Sequence, residues 1–205
     1  PTPQAYRALL EPASERDPAR PYPFLLAQPL SGEPAELGPA EDFAAEWKWD
    51  GARAQLLWRG SEAALWSRGD EPLGRAFPEL LAAARALPGG TVLDGELLIF
   101  ADGRPLPFAR LQERLLRQRP SRALLERSPA VLLAYDLLEL DGVDLRAQPF
   151  EQRRAALERL AQGFPSDGAL RLAPLLPAGD WMARAAWRES ARSAGAEGLM
   201  LKRRA

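Results

Sequence analysis

Two kinds of apolar segment alternate along this chain, and their alternation limits the possible folds more than any other feature. Runs of branched and aromatic residues, as in TVLDGELLIF (91–100) and AVLLAYDLLEL (130–140), are typical of strands. A segment with apolar residues at helical spacing, FEQRRAALERLAQ (150–162), is typical of a helix. Glycine and proline turns separate the segments. The sequence therefore predicts a mixed α+β domain, with antiparallel sheets flanked by helices.

The same patterns predict the remaining elements. A hairpin is expected around Gly60 and Ser61, and a strand at 197–204. Further helices are predicted at 77–87, 108–117, 121–127 and 180–193. Asp180 is a suitable N-cap for the last of them, because its carboxylate can accept hydrogen bonds from the first backbone N–H groups.

The first 22 residues differ in character from the rest. They are rich in proline and polar residues, so we expect a linker or N-terminal arm at 1–22 and the globular domain at 23–205. No apolar run approaches the roughly 18 residues that a membrane-spanning helix needs, and the N-terminus does not resemble a signal peptide. We therefore expect a cytoplasmic protein that does not associate with membranes.

The chain contains no cysteine and no histidine. Disulfides, thiolate nucleophiles and cysteine-ligated zinc are thereby excluded, as is the commonest general base. Any chemistry must use lysine, arginine, carboxylates, hydroxyls or the backbone, with metals that prefer oxygen ligands. The formal net charge of -1 neither indicates nor excludes a nucleic-acid partner.

Lysine is rare, since only Lys48 and Lys202 among the 27 basic residues are lysines. An amine can lose its proton and attack an electrophile, whereas a guanidinium stays charged in proteins. The two lysines are therefore candidates for a role that arginine cannot perform. The alternative is that an arginine-rich composition left two lysines by chance.

Lys48 begins the pattern Lys-x-Asp-Gly-x-Arg, which ends at Arg53. This pattern resembles the first motif of the covalent nucleotidyltransferases, which include DNA ligases, RNA ligases and mRNA capping enzymes. In that superfamily the lysine attacks the α-phosphate of a nucleotide and releases pyrophosphate. The resemblance implies that Lys48 becomes covalently attached to AMP, and that Glu46, Trp47 and Arg53 contact the nucleotide.

Two further segments resemble the second and third motifs of this superfamily. Ser67-Arg68-Gly69 follows the predicted hairpin, and the resemblance implies that Arg68 reaches the sugar and phosphates. Asp94-Gly95-Glu96 lies in a predicted strand. Here the resemblance implies that Glu96 contacts the ribose hydroxyls and lies close to a metal ion.

The last two matches lie in the second half of the chain. The segment AYDLL (134–138) resembles a motif whose aromatic residue, here Tyr135, stacks on the purine base. The segment EGLMLK (197–202) resembles a motif in which the glutamate, here Glu197, helps to hold a divalent cation. The resemblance also implies that Lys202 faces the phosphates.

Each match also has an ordinary structural interpretation. Asp94-Gly95 suits a strand bulge, Tyr135 a core position, Glu197-Gly198 a turn and Arg68 a solvated hairpin. Transfer to an α-phosphate, however, needs an amine, a metal, cations and a flat surface for the base in one place. The five matches supply all of these in the order of the superfamily.

Arg53 and the sequences around Tyr135 and Glu197 are most similar to the ATP-dependent DNA ligases of bacteria and archaea. The resemblance implies an ATP-grasp-like adenylation domain that uses ATP with Mg²⁺ or Mn²⁺. It also implies a monomer that acts on nicked double-stranded DNA. Such ligases continue into a fifth motif and an OB-fold domain, before which we expect this chain to be truncated. The alternatives are an RNA ligase, a capping-type nucleotidyltransferase and a non-catalytic module that binds nucleotide or DNA.

Overall fold

The computed structural model describes residues 19–101 and 103–205. The greater part of the expected N-terminal arm, residues 1–18, lies outside the described residues. The strands are β1 (Phe43–Trp49), β2 (Ala52–Arg59), β3 (Glu62–Ser67), β4 (Thr91–Ala101), β5 (Arg104–Pro105), β6 (Ala130–Leu140), β7 (Val143–Asp144), β8 (Leu170–Leu172) and β9 (Ala196–Arg203). The helices are α1 (Pro78–Ala84), α2 (Phe108–Leu115), α3 (Arg122–Arg127), α4 (Phe150–Ala161) and α5 (Trp181–Ser190). Short 3-10 helices span Pro34–Leu37, Ala40–Asp42 and Ala191–Ala194.

The strands form two sheets. The larger has the order β3-β2-β4-β6-β7, with β5 beside β4 and β8 beside β6. Its neighbours are antiparallel except for β6 and β8, which run parallel. The smaller sheet pairs β1 with β9 in antiparallel register. The α+β architecture predicted from the sequence is thus confirmed, and the parallel β6–β8 pair is an addition to it.

Helices cover one face of the larger sheet. Because side chains alternate along a strand, Ala54, Leu56 and Trp58 of β2 share that face with every second residue of β4. They pack in the main core against side chains of α1, α2 and α4, including Phe77, Leu80, Leu111 and Leu157. The other face carries two smaller apolar clusters, one around Tyr22, Leu57, Val92 and Leu138 and one around Leu98, Val131, Leu133 and Ala173. This second face also carries the predicted site residues of β2 and β4.

Most predicted elements are confirmed, with small changes at their ends. Asp180 caps α5 as expected, because its side chain accepts a hydrogen bond of 2.8 Å from the Ala183 backbone N–H. The helix predicted at 180–193 is continuous only to Ser190, after which the chain tightens into a 3-10 turn that ends at Gly195. The helices within residues 19–101 and 103–205 are all too short or too polar to cross a membrane.

Candidate active site

Lys48 lies near the end of β1, where the register with β9 shifts. It pairs with Gly198, and the shift falls between Lys48 and Trp49. Its side chain is half exposed, and its amine contacts the carboxylate of Glu197. The turn that follows requires Gly51, since a Cβ there would lie 2.5 Å from the Leu97 carbonyl oxygen. The antiparallel pairing thus brings the predicted nucleophile and a predicted metal ligand together.

Arg53 lies on β2 and faces Glu96 across the β2–β4 pair. Its guanidinium donates two hydrogen bonds to Asp94, from Nε to Oδ1 at 3.1 Å and from Nη2 to Oδ2 at 2.7 Å. Burial disfavours the charged guanidinium, but the hydrogen bonds to Asp94 and the negative charge of that carboxylate together outweigh burial and raise the pKa of Arg53. The bidentate pair fixes the plane of the guanidinium on the site face of the sheet.

Glu96 lies among the charges that were predicted to bind the nucleotide. Burial raises the pKa of its carboxyl to about 7, and the nearby charge of Asp94 adds to the rise. The positive charges of Arg53, Lys48 and Arg68 act in the opposite direction. Lys48, Arg53 and Arg68 therefore all lie close enough to Glu96 to act on it electrostatically.

Arg68 is exposed in the turn that follows β3. Its backbone N–H donates a 3.2 Å hydrogen bond to the carbonyl of Arg53. The hairpin therefore holds Arg68 beside Arg53, the last residue of the first motif. Its guanidinium is open to solvent on this side of the sheet.

Tyr135 is the extra residue of a β-bulge in β6. The register runs from Asp94 opposite Asp136 to Gly95 opposite Ala134, so Tyr135 has no counterpart on β4. Such a bulge bends the strand and redirects a side chain. The phenolic hydroxyl donates to Asp94 Oδ1 at 3.3 Å, and the ring packs against the apolar cluster that includes Leu133. The side chain of Tyr135 is partly buried.

Lys202 and Glu46 form an ion pair beneath the site. The Lys202 amine lies 2.7 Å from Glu46 Oε2 and donates to the Tyr135 carbonyl at 3.3 Å. It also lies 4.3 Å from the centroid of the Tyr135 ring. Glu46 is buried, and Arg154 Nη1 lies 3.7 Å from its second oxygen. Both residues thus reach the site, where they are bound to one another.

Trp47 is separated from the other predicted residues of β1. Because side chains alternate along the strand, Trp47 points to the face opposite Glu46 and Lys48. The structure therefore does not bring its side chain together with theirs.

Sequence reasoning overlooked Asp94, which orients both Arg53 and Tyr135. A signal was available, because Asp94 stands two residues before Glu96 on the same face of a predicted strand. It also overlooked Leu25, whose carbonyl accepts a hydrogen bond from Arg53 Nη1. No local pattern marks that contact, since the two residues are distant in sequence.

The two predicted metal ligands, Glu96 and Glu197, are carboxylates with oxygen donors. Within the described ranges, no three Asp or Glu side chains converge in a way that would hold a metal by themselves. Mg²⁺ commonly uses only one or two carboxylates and completes its shell with waters and substrate phosphates. The donors present are therefore of the kind and number that a nucleotide-bound Mg²⁺ requires.

Comparisons with known proteins agree with this arrangement. Residues 25–205 match the model of a protein family described as ATP dependent DNA ligase domain. The chain is 40% identical over 164 residues to DNA ligase C of Mycobacterium tuberculosis (strain ATCC 25618 / H37Rv), which covers 78% of this chain and 45% of that protein.

Solved structures give the same result. The ligase domain of M. tuberculosis LigD matches with a TM-score of 0.65 and 31% identity, covering 85% of this chain and 52% of that one. A mycobacterial DNA ligase D complexed with ATP and MES matches with a TM-score of 0.63 and 32% identity, covering 81% and 50%. This chain thus spans about half the length of each of these three proteins.

The family match includes every motif on which the resemblance was based, from Lys48 to Lys202. The solved structures share the fold that brings these motifs around one face of the sheet. The fold expected from the motifs, that of a ligase adenylation domain, is confirmed. The chain belongs to the family of ATP-dependent DNA ligase domains.

Proposed function

We propose that this chain is the adenylation domain of a DNA ligase and that Lys48 is its nucleophile. One observation carries the proposal: the half-exposed amine of Lys48 lies against Glu197, at the edge where Arg53, Arg68 and Glu96 meet. An amine, two cations and two carboxylates at one edge are the groups that transfer to an α-phosphate requires.

The first step forms a covalent enzyme-nucleotide. The half-exposed amine of Lys48 leaves Glu197, releases a proton to solvent and donates its lone pair to the α-phosphorus of ATP. A phosphorus–nitrogen bond forms while the bond from the α-phosphorus to the bridging oxygen breaks, and that oxygen leaves with its electron pair as part of pyrophosphate. Placing the amine in line with this oxygen is the main contribution of β1.

The remaining residues hold the nucleotide. The ring of Tyr135 would stack on the adenine, and Arg53, Arg68 and Glu96 would surround the sugar and phosphates. Glu46 and Trp47 precede Lys48 on β1, and we retain them as nucleotide contacts, Trp47 through its backbone because its side chain points to the opposite face. Lys202 can reach a phosphate only by leaving Glu46, so an incoming phosphate must compete with that buried carboxylate.

Glu96 and Glu197 would hold Mg²⁺ or Mn²⁺. A bound divalent cation neutralises charge on the phosphates and on the departing pyrophosphate. A protonated Glu96 cannot serve as a ligand, so its raised pKa makes the metal compete with a proton near neutral pH.

In the intact enzyme, AMP would pass from Lys48 to the 5′-phosphate of a nick in double-stranded DNA. The 3′-hydroxyl would then attack that phosphate, release AMP and close the strand. Both steps would use the same cations, and the duplex would be held mainly through its phosphates. We propose residues 23–205 as the adenylation unit of a monomeric enzyme, acting in the cytoplasm of a bacterium or archaeon, where ATP and DNA are both present.

The proposal is tested by incubating the protein with α-labelled ATP and Mg²⁺ and separating it under denaturing conditions. We expect a covalent label that is absent from Lys48→Arg, which keeps the charge but removes the nucleophile. Circular dichroism of the variant checks that it is folded. Because the chain has only two lysines, peptide mapping assigns the label to one of them.

Labelled GTP in a parallel reaction separates an adenylating ligase from a capping-type enzyme. The family match does not favour the RNA ligase or capping alternatives. Full labelling of Lys48→Arg would refute the nucleophile, and an unlabelled wild type would favour a module that only binds its ligand.

A further inference from the structure

A short segment that precedes the first strand lies across the site face of the larger sheet. This segment, residues 20–25, is called the strap below. Arg59 Nη1 donates to the Arg20 carbonyl at 2.8 Å. Gln55 binds Tyr22 twice, accepting from its backbone N–H at 2.8 Å and donating to its carbonyl at 3.1 Å. Arg59 and Gln55 share one face of β2, so the strap follows this strand toward the candidate active site.

The last residue of the strap, Leu25, contacts Arg53. Arg53 lies two residues before Gln55 on β2 and therefore on the same face of that strand. Arg53 Nη1 donates to the Leu25 carbonyl, while Nε and Nη2 hold Asp94. The Arg53 Cζ atom also lies 5.4 Å from the centroid of the Phe24 ring. The guanidinium is therefore held between a carboxylate of β4 on one side and the strap on the other.

Tyr22 fixes the strap to the sheet. Its side chain is only 5% exposed and packs in the cluster with Leu57, Val92 and Leu138. Its hydroxyl donates to Glu139 Oε2 at 2.6 Å. The guanidinium carbons of Arg59 and Arg146 lie 4.8 and 3.8 Å from the centroid of its ring. An aromatic ring held in this way has little freedom, so it fixes the position of the backbone that follows.

These contacts point to a function beyond packing. Asp94 alone fixes the plane of the Arg53 guanidinium, but Nη1 would then be left to solvent. With the strap in place, three of its nitrogens are held and the orientation of the group is set before any ligand arrives. Such preorganisation reduces the free energy that binding must spend on ordering the site.

We propose that the strap positions Arg53 for nucleotide binding, with Tyr22 as the positioning residue that anchors it. This rests on the proposed function, because it assigns Arg53 to the nucleotide. Tyr22 acts only through Arg53 and touches no reacting atom. Loosening the strap should therefore weaken nucleotide binding without slowing the chemical step at saturation.

Two changes loosen the strap in different ways. Tyr22→Ala removes the anchor. A single glycine inserted between Pro23 and Phe24 leaves the anchor in place but moves the Leu25 carbonyl away from Arg53. The matched control is the same insertion between Gly32 and Glu33, which lies in an exposed turn outside the strap.

The measurement is the dissociation constant of an ATP analogue whose α,β-bridging oxygen is replaced by methylene, so that no adenylate can form. We expect Tyr22→Ala and the strap insertion each to raise this Kd about tenfold, as for loss of one hydrogen bond to a charged group. The control insertion should leave it unchanged. In an Arg53→Ala background, neither strap change should raise the Kd by more than about twofold.

The outcomes separate the proposals. The strap proposal is overturned if the strap changes leave the Kd of the analogue unaltered. It is also overturned if they raise this Kd as much in the Arg53→Ala background as in the wild type. If circular dichroism shows that Tyr22→Ala is unfolded, the Kd of the variant with glycine inserted between Pro23 and Phe24 decides whether the strap positions Arg53. A wild type that binds the analogue but takes no label from ATP refutes the proposed function and leaves the strap result standing, whereas a wild type that does not bind the analogue refutes both.

Discussion

The amine of Lys202 lies 2.7 Å from Glu46 Oε2, so the chain's second lysine compensates a carboxylate that β1 buries two residues before Lys48. Glu46 is 3% exposed, and its other oxygen accepts no hydrogen bond within the described part of the chain. Taking one partner from such a pair leaves a charge with little access to water. The stability of the strand that carries Lys48 therefore depends on Lys202.

We predict that Lys202→Met lowers the free energy of unfolding by about 3 kcal/mol at pH 8, as expected for breaking a buried ion pair. Burial raises the pKa of Glu46, and Lys202 opposes that rise, so the variant raises it further. Below the unfolded value of about 4.3 the carboxyl is protonated in both states. As the pH rises through the folded value, the native protein must ionise a buried acid and loses stability.

Urea denaturation of the wild type and of Lys202→Met at pH 4 and pH 8 checks this prediction. The deficit of the variant should be larger at pH 8, and Glu46→Gln added to it should remove that difference. An equal deficit at both pH values would show that Glu46 is not the group left unpaired.

The raised pKa of Glu96 predicts a second way in which the stability of the protein depends on pH. Its folded pKa of about 7 lies above the unfolded value of about 4.3, so the native state binds a proton that the unfolded state has released between these values. Stability should therefore fall as the pH rises from about 4.3 to about 7. In Glu96→Gln this part of the fall should disappear. Thermal unfolding of both proteins across this range provides the comparison, and parallel curves would contradict the prediction.

We predict that the ring of Tyr135, and not its hydroxyl, contributes most of this residue's share of nucleotide affinity. Tyr135→Phe keeps the stacking surface and loses only the long bond to Asp94, so nucleotide affinity should change less than about threefold. Tyr135→Ala should weaken binding by about 1–3 kcal/mol, the usual contribution of base stacking. Titration with the methylene analogue measures both. Equal losses in the two variants would assign the affinity to the hydroxyl.

We predict that Arg114 contributes to the stability of the fold and has no part in the candidate active site. Its side chain is fully buried and donates to the carbonyls of Ser128 and Ala76, at 2.6 and 2.7 Å, and to Glu79. Arg114→Met should lower the free energy of unfolding by about 3–5 kcal/mol, because these acceptors lose their donors. Arg122→Met is the control: its side chain is 91% exposed in an i,i+4 pair with Glu126, and the loss should stay below about 0.5 kcal/mol. A similar loss in both would rule out burial as the cause.

Local patterns were sufficient to predict most of the fold. The strands β4 and β6 and the helix α4 have strong periodicity, so their type follows from residues that are close in sequence. The short strand β8 does not, because three residues give no period and its pairing depends on where β6 lies. The end of α5 also differs from the prediction, because the chain changes after Ser190 to a 3-10 turn, which apolar spacing does not distinguish from α-helix.

The site divides in a similar way. The order of motifs predicted that Lys48, Arg53, Glu96, Tyr135 and Glu197 belong together, and the structure places them around one face. The sequence did not predict the bulge at Tyr135, since it arises from the register between two strands. Nor did it predict that Arg53 would be held by Asp94 and Leu25, because such pairing depends on contacts between distant parts of the chain.

The pairing of β1 with β9 has a consequence for how the protein is made. These strands are far apart in the sequence, yet Phe43 pairs with Arg203 and Lys48 with Gly198. Contacts between residues so distant in sequence form late, because the entropy of closing a long loop must be overcome first. During synthesis Lys48 is translated well before β9 and has no partner strand there until β9 emerges. A chain released before residue 196 would therefore carry Lys48 on an unpaired edge and could not hold Glu197 against it.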